Sequence, residues 1–177
     1  MLWINFIFLI LIVIGQAQFR GCDWIQQPID IPSSPGERIY FNSFETSADT
    51  IGWNGWMEFR REAPPIGGQQ SVYISGGCIY PHAYINLPAE NYDRLLILRC
   101  WGKNLEIGGL VELRLNPEVS IWPSPHVSIS VNDTLWKFYQ SDTLHCPANI
   151  PLQLSMSAGG IVPSTMLVDL IEIIRVK

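Results

Sequence analysis

The sequence predicts an all-β fold, an antiparallel β-sandwich. Three observations predict it. Short candidate strands recur at regular spacing from Arg38 onward, Gly and Pro cut between them, and no stretch of useful length has the helical period. Residues 18–37 form an extended arm, because Pro28, Pro32 and Pro35 with Ser33, Ser34 and Gly36 permit little else. Strands are then predicted over 38–44 and 53–61, the second ending at Pro64-Pro65-Ile66-Gly67-Gly68. The next, 71–76, closes at Gly76-Gly77, and 79–86 stops before Pro88. Strands 93–102 and 109–115 are separated by Gly108-Gly109, and Asn116-Pro117 ends the latter. Pro123 to Pro125 precede 126–130, and Asn132-Asp133 turns the chain into 134–140. Pro147 precedes 150–157, and Gly159-Gly160 leads to the last strand, 165–175.

Side-chain alternation assigns faces within these strands. Leu96, Leu98, Cys100 and Gly102 lie opposite Leu95, Ile97, Arg99, Trp101 and Lys103. Val111, Leu113 and Leu115 oppose Glu112 and Arg114; Leu152, Leu154 and Met156 oppose Gln153, Ser155 and Ser157. An antiparallel sheet with one dry and one wet face produces this pattern. The expectation is that these three strands present Arg99, Trp101, Glu112, Arg114 and Gln153 together on the wet side.

The start of the chain sets the compartment. Leu2 to Ile14 is apolar except for Asn5, and Gly15-Gln16-Ala17 follows. A membrane span needs roughly 20 apolar residues. The run fits a secretory signal peptide, residues 1–17, cleaved after Ala17. The alternative is an uncleaved N-terminal anchor, and no Lys or Arg precedes the apolar run. A lipoprotein attachment at Cys22 is disfavoured by Arg20. The rest, about 160 residues, is one domain long enough for a core of its own.

The formal net charge is −5, none of it in residues 1–17. That excludes nucleic acid, which needs clustered Lys and Arg, and an anionic membrane surface as partners. Only 15% of residues are charged, against about 25% in ordinary domains. Such a surface suits neutral, hydroxyl-rich ligands. Four cysteines, Cys22, Cys78, Cys100 and Cys146, fit an exported chain with two disulfides. Four cysteines allow three connectivities; Cys78–Cys100 with Cys22–Cys146 is one, and buried free thiols are the other reading.

Several short segments, in order, carry a resemblance. They are Phe41-Asn42-Ser43-Phe44-Glu45; Trp53 and Trp56; Gly67-Gly68-Gln69-Gln70-Ser71-Val72-Tyr73-Ile74; Tyr92-Asp93-Arg94 through Trp101-Gly102-Lys103; Trp136-Lys137-Phe138-Tyr139; and Met166-Leu167-Val168-Asp169-Leu170. The chain resembles, over residues 38–177, the jelly-roll carbohydrate-binding modules of the family 4/9/22 type, within the galactose-binding-like group. It departs at Ser43, where the family has a smaller residue, and at Val168, where it has a second Asp. The resemblance implies a jelly roll and a secreted or cell-surface binding module for a polysaccharide or other glycan. It also implies a structural Ca²⁺ held by Glu45, carbonyls near Gly68 and Ser71, and Asp169. Calcium takes six to eight oxygens, so two carboxylates with carbonyls and water suffice.

Sugar rings stack on aromatic faces, and their hydroxyls take bonds from amides, guanidinium and carboxylate. Arg99, Trp101, Glu112, Arg114 and Gln153 have that chemistry. Trp136 and Tyr139 are further candidates that cannot share a face, and Trp53, Trp56 and Trp122 stand beside Gly or Pro at the edge. Catalysis lacks support. His82, His126 and His145 are scattered, and no Gly-x-Ser-x-Gly elbow occurs. Glu58 and Glu62 on a strand stand about 13 Å apart, too far for an acid/base pair on one glycosidic bond. Asn132-Asp133-Thr134 is a glycosylation sequon. The sequence therefore predicts a non-enzymatic glycan-binding module, with a structural or adhesive surface protein on the same fold as the alternative.

Overall fold

A computed structural model describes residues 36–76, 82–116, 124–159 and 164–176. The expected signal peptide, most of the arm, Cys22, Cys78 and Trp122 lie outside the described residues. Eleven strands and one short 3-10 turn make up the described chain. In order they are β1 (Glu37–Asn42), β2 (Asn54–Gly55), β3 (Glu58–Arg60), β4 (Ser71–Gly76), β5 (His82–Leu87), β6 (Arg94–Asn104), β7 (Gly109–Leu115), β8 (His126–Val131), β9 (Lys137–Cys146), β10 (Leu152–Ser157) and β11 (Ser164–Arg175). The predicted strand over 53–61 is two strands. The chain leaves one sheet after Gly55 and joins the other at Glu58, so Trp56 and Met57 form the crossing.

All pairings are antiparallel. One sheet has the order β3-β4-β11-β6-β9 with β1 also on β11; the other runs β2-β5-β10-β7-β8. Strands from β4 onward pass back and forth between the sheets, which makes the sandwich a jelly roll. The inward residues of both sheets share one core: Val72, Ile74, Leu96, Leu98, Met166, Val168 and Ile173 from the first, Ala83, Val111, Leu113, Leu152, Leu154 and Met156 from the second. Burying a side chain of this size contributes roughly 1.5–3 kcal/mol. Cys100 and Cys146 belong to the same core as free thiols. Their partners in the expected disulfides, Cys22 and Cys78, lie outside the described residues. Burial raises both thiols; for Cys146 the Arg94 guanidinium opposes that rise only in part.

β11 has a register unlike the others. Its first half pairs with β4 over Ser164–Val168, and its second half pairs with β1 over Ile171–Arg175. The two partners therefore lie end to end along one edge of β11, while β6 takes the other edge. Between them the register against β6 breaks at Asp169 to Glu172, and Leu170 adopts a left-handed φ of 48°. Such a bulge re-aims the neighbouring side chain. The seam left between the ends of β1 and β4 is where Asp169 points.

Candidate functional site

The alternation places every predicted site residue outside the core, as expected, but not on one surface. Arg99 and Trp101 belong to β6 in the six-stranded sheet; Glu112 and Arg114 on β7 and Gln153 on β10 belong to the five-stranded sheet. The two groups sit on opposite outer faces of the sandwich. The expectation of one shared wet face is therefore corrected: alternation separates inside from outside and does not say which sheet a strand joins.

Arg99 is also not available. It is 2% exposed, donates from Nε to Gln140 Oε1 at 2.9 Å and pairs with Glu172 at 3.4 Å. Glu172, equally buried, takes Arg38 at 2.9 Å on its other oxygen. Arg38 lies over Phe41 and Arg99 over Phe138, which closes this patch into a satisfied ionic cluster. Trp101 is half-buried against Phe138, with ring centroids 6.1 Å apart.

The outer face of the five-stranded sheet is different. Register aligns Asn86, Gln153, Arg114 and His126 in one row across β5, β10, β7 and β8. The next row holds Asn54, Tyr84, Ser155, Glu112 and Ser128. Gln153 donates to Asn86 Oδ1 at 3.2 Å, and Arg114 donates to Glu112 Oε1 at 2.8 Å. Arg114 keeps its Nε without a partner, a donor still to be met. Further along the same face, Leu110, Ser130 and Ser157 help line a hollow of about 270 Å³. Tyr84, Asn86 and Ser128 escaped the sequence argument. The alternation Ala83, Ile85, Leu87 against Tyr84, Asn86 was the signal that could have found them.

Trp53 is structural: it tilts on Phe44 at 5.7 Å and donates its indole N–H to Tyr40 at 3.1 Å. Trp56 is 63% exposed just beyond β2, at the margin of the polar face. Tyr139 donates to Asp133 at 2.8 Å and packs against the core, and Trp136 is half-buried. Glu58 and Glu62 are engaged by Arg60 and Lys103, and His145 sits 3.6 Å from Asp93.

The residues expected at a cation site do meet at the seam. Glu45 accepts the Gln69 N–H at 3.0 Å, and Gln70 Nε2 donates to the Glu45 carbonyl at 2.7 Å. Asp169 is fully buried; Oδ1 accepts the Leu170 N–H at 2.7 Å, and Oδ2 has no partner. The loop carrying Pro64, Gly67 and Gly68 closes over both carboxylates. A Cβ on Gly67 would lie 2.4 Å from Asp169 Oδ2, and one on Gly68 2.2 Å from the Glu45 carboxyl carbon. Only glycine allows this approach. Burial pushes the Asp169 carboxyl up, the Leu170 N–H pulls it back, and the Glu45 charge adds to the rise, to about 7. Ser71 turns its hydroxyl away, to the Glu62 carbonyl at 2.6 Å. Among the described residues no group of three or more His, Cys, Asp or Glu gathers at one point.

No protein-family model matches the chain, and no curated protein does. Solved structures do. The CBM22-1 xylan-binding domain of Paenibacillus barcinonensis Xyn10C is similar with a TM-score of 0.56 at 16% identity, over 82% of this chain and 98% of that one. A family 11 carbohydrate-binding module of the Clostridium thermocellum cellulase Lic26A-Cel5E gives 0.56 at 12% identity, over 80% and 96%. A family 16 carbohydrate-binding module gives 0.52 at 18% identity, over 70% and 91%. The fold of this chain is thus the jelly-roll sandwich that these carbohydrate-binding modules share.

Proposed function

We propose that the chain is a secreted, non-catalytic carbohydrate-binding module that takes a glycan across the outer face of its five-stranded sheet. The observation that carries this reading is the pair of aligned rows, amide–amide–guanidinium–imidazole beside tyrosine–hydroxyl–carboxylate–hydroxyl, with Asn86, His126 and Ser128 exposed and Arg114 and Glu112 partly buried between them. Planar amides and guanidinium offer paired donors to vicinal hydroxyls, and Glu112 accepts from them. Tyr84 and Trp56 supply the aromatic surface for the C–H faces of a sugar ring. Affinity is modest, because each hydroxyl exchanges water for protein at a net gain of about 0.5–1.5 kcal/mol. The shared fold of modules that bind polysaccharide supports the ligand class.

Calcium belongs to this proposal. Glu45 and Asp169 would hold it, with carbonyls of the loop around Gly68. The unpartnered Asp169 Oδ2, facing a loop that only glycine permits, is what a bound cation would satisfy. The role is to fasten the ends of β1 and β4 to β11.

The test is affinity electrophoresis of the chain through gels containing xylan, mixed-linkage glucan or other neutral polysaccharides. Arg114→Ala and Gln153→Ala should each weaken retardation about tenfold. Trp101→Ala, on the opposite face, should leave it unchanged. Loss of binding in the Trp101 variant alone would reverse the assignment of the face.

A further inference from the structure

The other outer face carries a second groove that the glycan reading does not use. Its floor is the six-stranded sheet, where register sets Tyr73 beside Leu167 and Leu167 beside Lys103. One wall is the segment Arg60-Arg61-Glu62 leaving β3; the other is Leu105-Glu106 in the turn after β6. The groove measures about 460 Å³, within the roughly 300–1,000 Å³ of small-molecule sites.

The charges in it are unequally satisfied. Lys103 neutralises Glu62 at 2.5 Å. The Arg60 guanidinium lies 4.2 Å over the Tyr73 ring and reaches Glu58 only at 3.4 Å, with both partners about half exposed. An exposed pair of this kind contributes little and is readily exchanged. Arg61 is exposed and makes no ion pair among the described residues. The groove thus offers two adjacent guanidinium groups above an aromatic and aliphatic floor, on a molecule whose net charge is −5. Guanidinium recognises planar carboxylate through paired N–H bonds, which a neutral hydroxyl does not match. Thr165 and Glu106 remain at the rim for ring hydroxyls.

We infer that this groove is a second, separate saccharide site, selective for sugars bearing a carboxylate, with Arg60 and Arg61 as the carboxylate contacts. The probe is a short oligogalacturonate, and its methyl ester serves as the uncharged control with the same rings. Calorimetric titration of the full chain should detect the acid form and not the ester, with binding weakened several-fold as salt rises from 50 to 300 mM. Arg61→Gln should weaken it about tenfold, and Arg60→Gln with Arg61→Gln should abolish it. Both sites are on the surface, and circular dichroism of the variants should match the parent. Arg114→Ala, on the far face, should leave oligogalacturonate binding intact, which separates this site from the neutral-glycan one. Equal binding of acid and ester, no binding of either, or an acid titration unchanged in the double variant would each overturn the inference.

Discussion

At the scale of single residues, Asp169 carries the sharpest expectation. Its carboxyl is raised to about 7 by burial and by Glu45, against an ordinary value of 3.8. The folded chain therefore holds a proton that the unfolded chain releases. Stability from this group is complete below about pH 4 and is lost as pH rises through 7. In chelator, the melting temperature should fall between pH 4 and pH 8. Calcium should restore it at pH 8, where the carboxylate is charged. Asp169→Asn should flatten the pH profile and remove the response to calcium, both read by thermal melting. Glu172 is paired on both oxygens, by Arg38 and by Arg99. Glu172→Ala leaves Arg99 buried without its charge partner and should cost about 3–5 kcal/mol in urea denaturation.

At the scale of elements, the strands were legible because period-two alternation and Gly/Pro punctuation are local signals. β4 and β7 have the bounds expected, and most others differ by one or two residues. β9 runs on to Cys146, well past the expected end at 140, because its second half pairs with Arg94–Ile97 of β6. That extension depends on a distant strand, and no local residue announces it. The same limit explains the misplaced site. Leu98/Arg99 and Leu113/Arg114 alternate alike, yet one strand joins each sheet. Sheet membership is set by long-range pairing, which alternation does not encode. The meeting of Glu45, Gly68 and Asp169 was legible for the opposite reason: they stand in an ordered set of motifs, and the resemblance supplied the topology. Within the core, Leu154 on β10 is fully buried between β5 and β7. Leu154→Ala should cost about 2–5 kcal/mol by chemical denaturation.

At the scale of the whole molecule, β11 is the organising strand. It pairs with β1, β4 and β6, and ten of its twelve residues are buried. The last segment of the sequence therefore completes the sheet that the first strand begins. A chain ended before Ser164 should lack the far-ultraviolet signature of an ordered β-protein, since three strands lose their partner at once. Folding must wait for contacts between residues more than a hundred positions apart, such as Arg38 with Glu172. Refolding in the range of milliseconds to seconds should follow, measured by stopped-flow tryptophan fluorescence.

The pairing of Glu37 with Arg175 has a mechanical consequence. Whatever precedes the first strand and follows the last leaves the sandwich at a single corner. A tether there would hold the domain like a leaf on its stalk, with both broad surfaces turned to the surroundings. Tension applied across that corner would part β1 from β11 one ladder rung at a time, as a zip opens, until it met the Asp169 seam, where a bound ion would act as the stop.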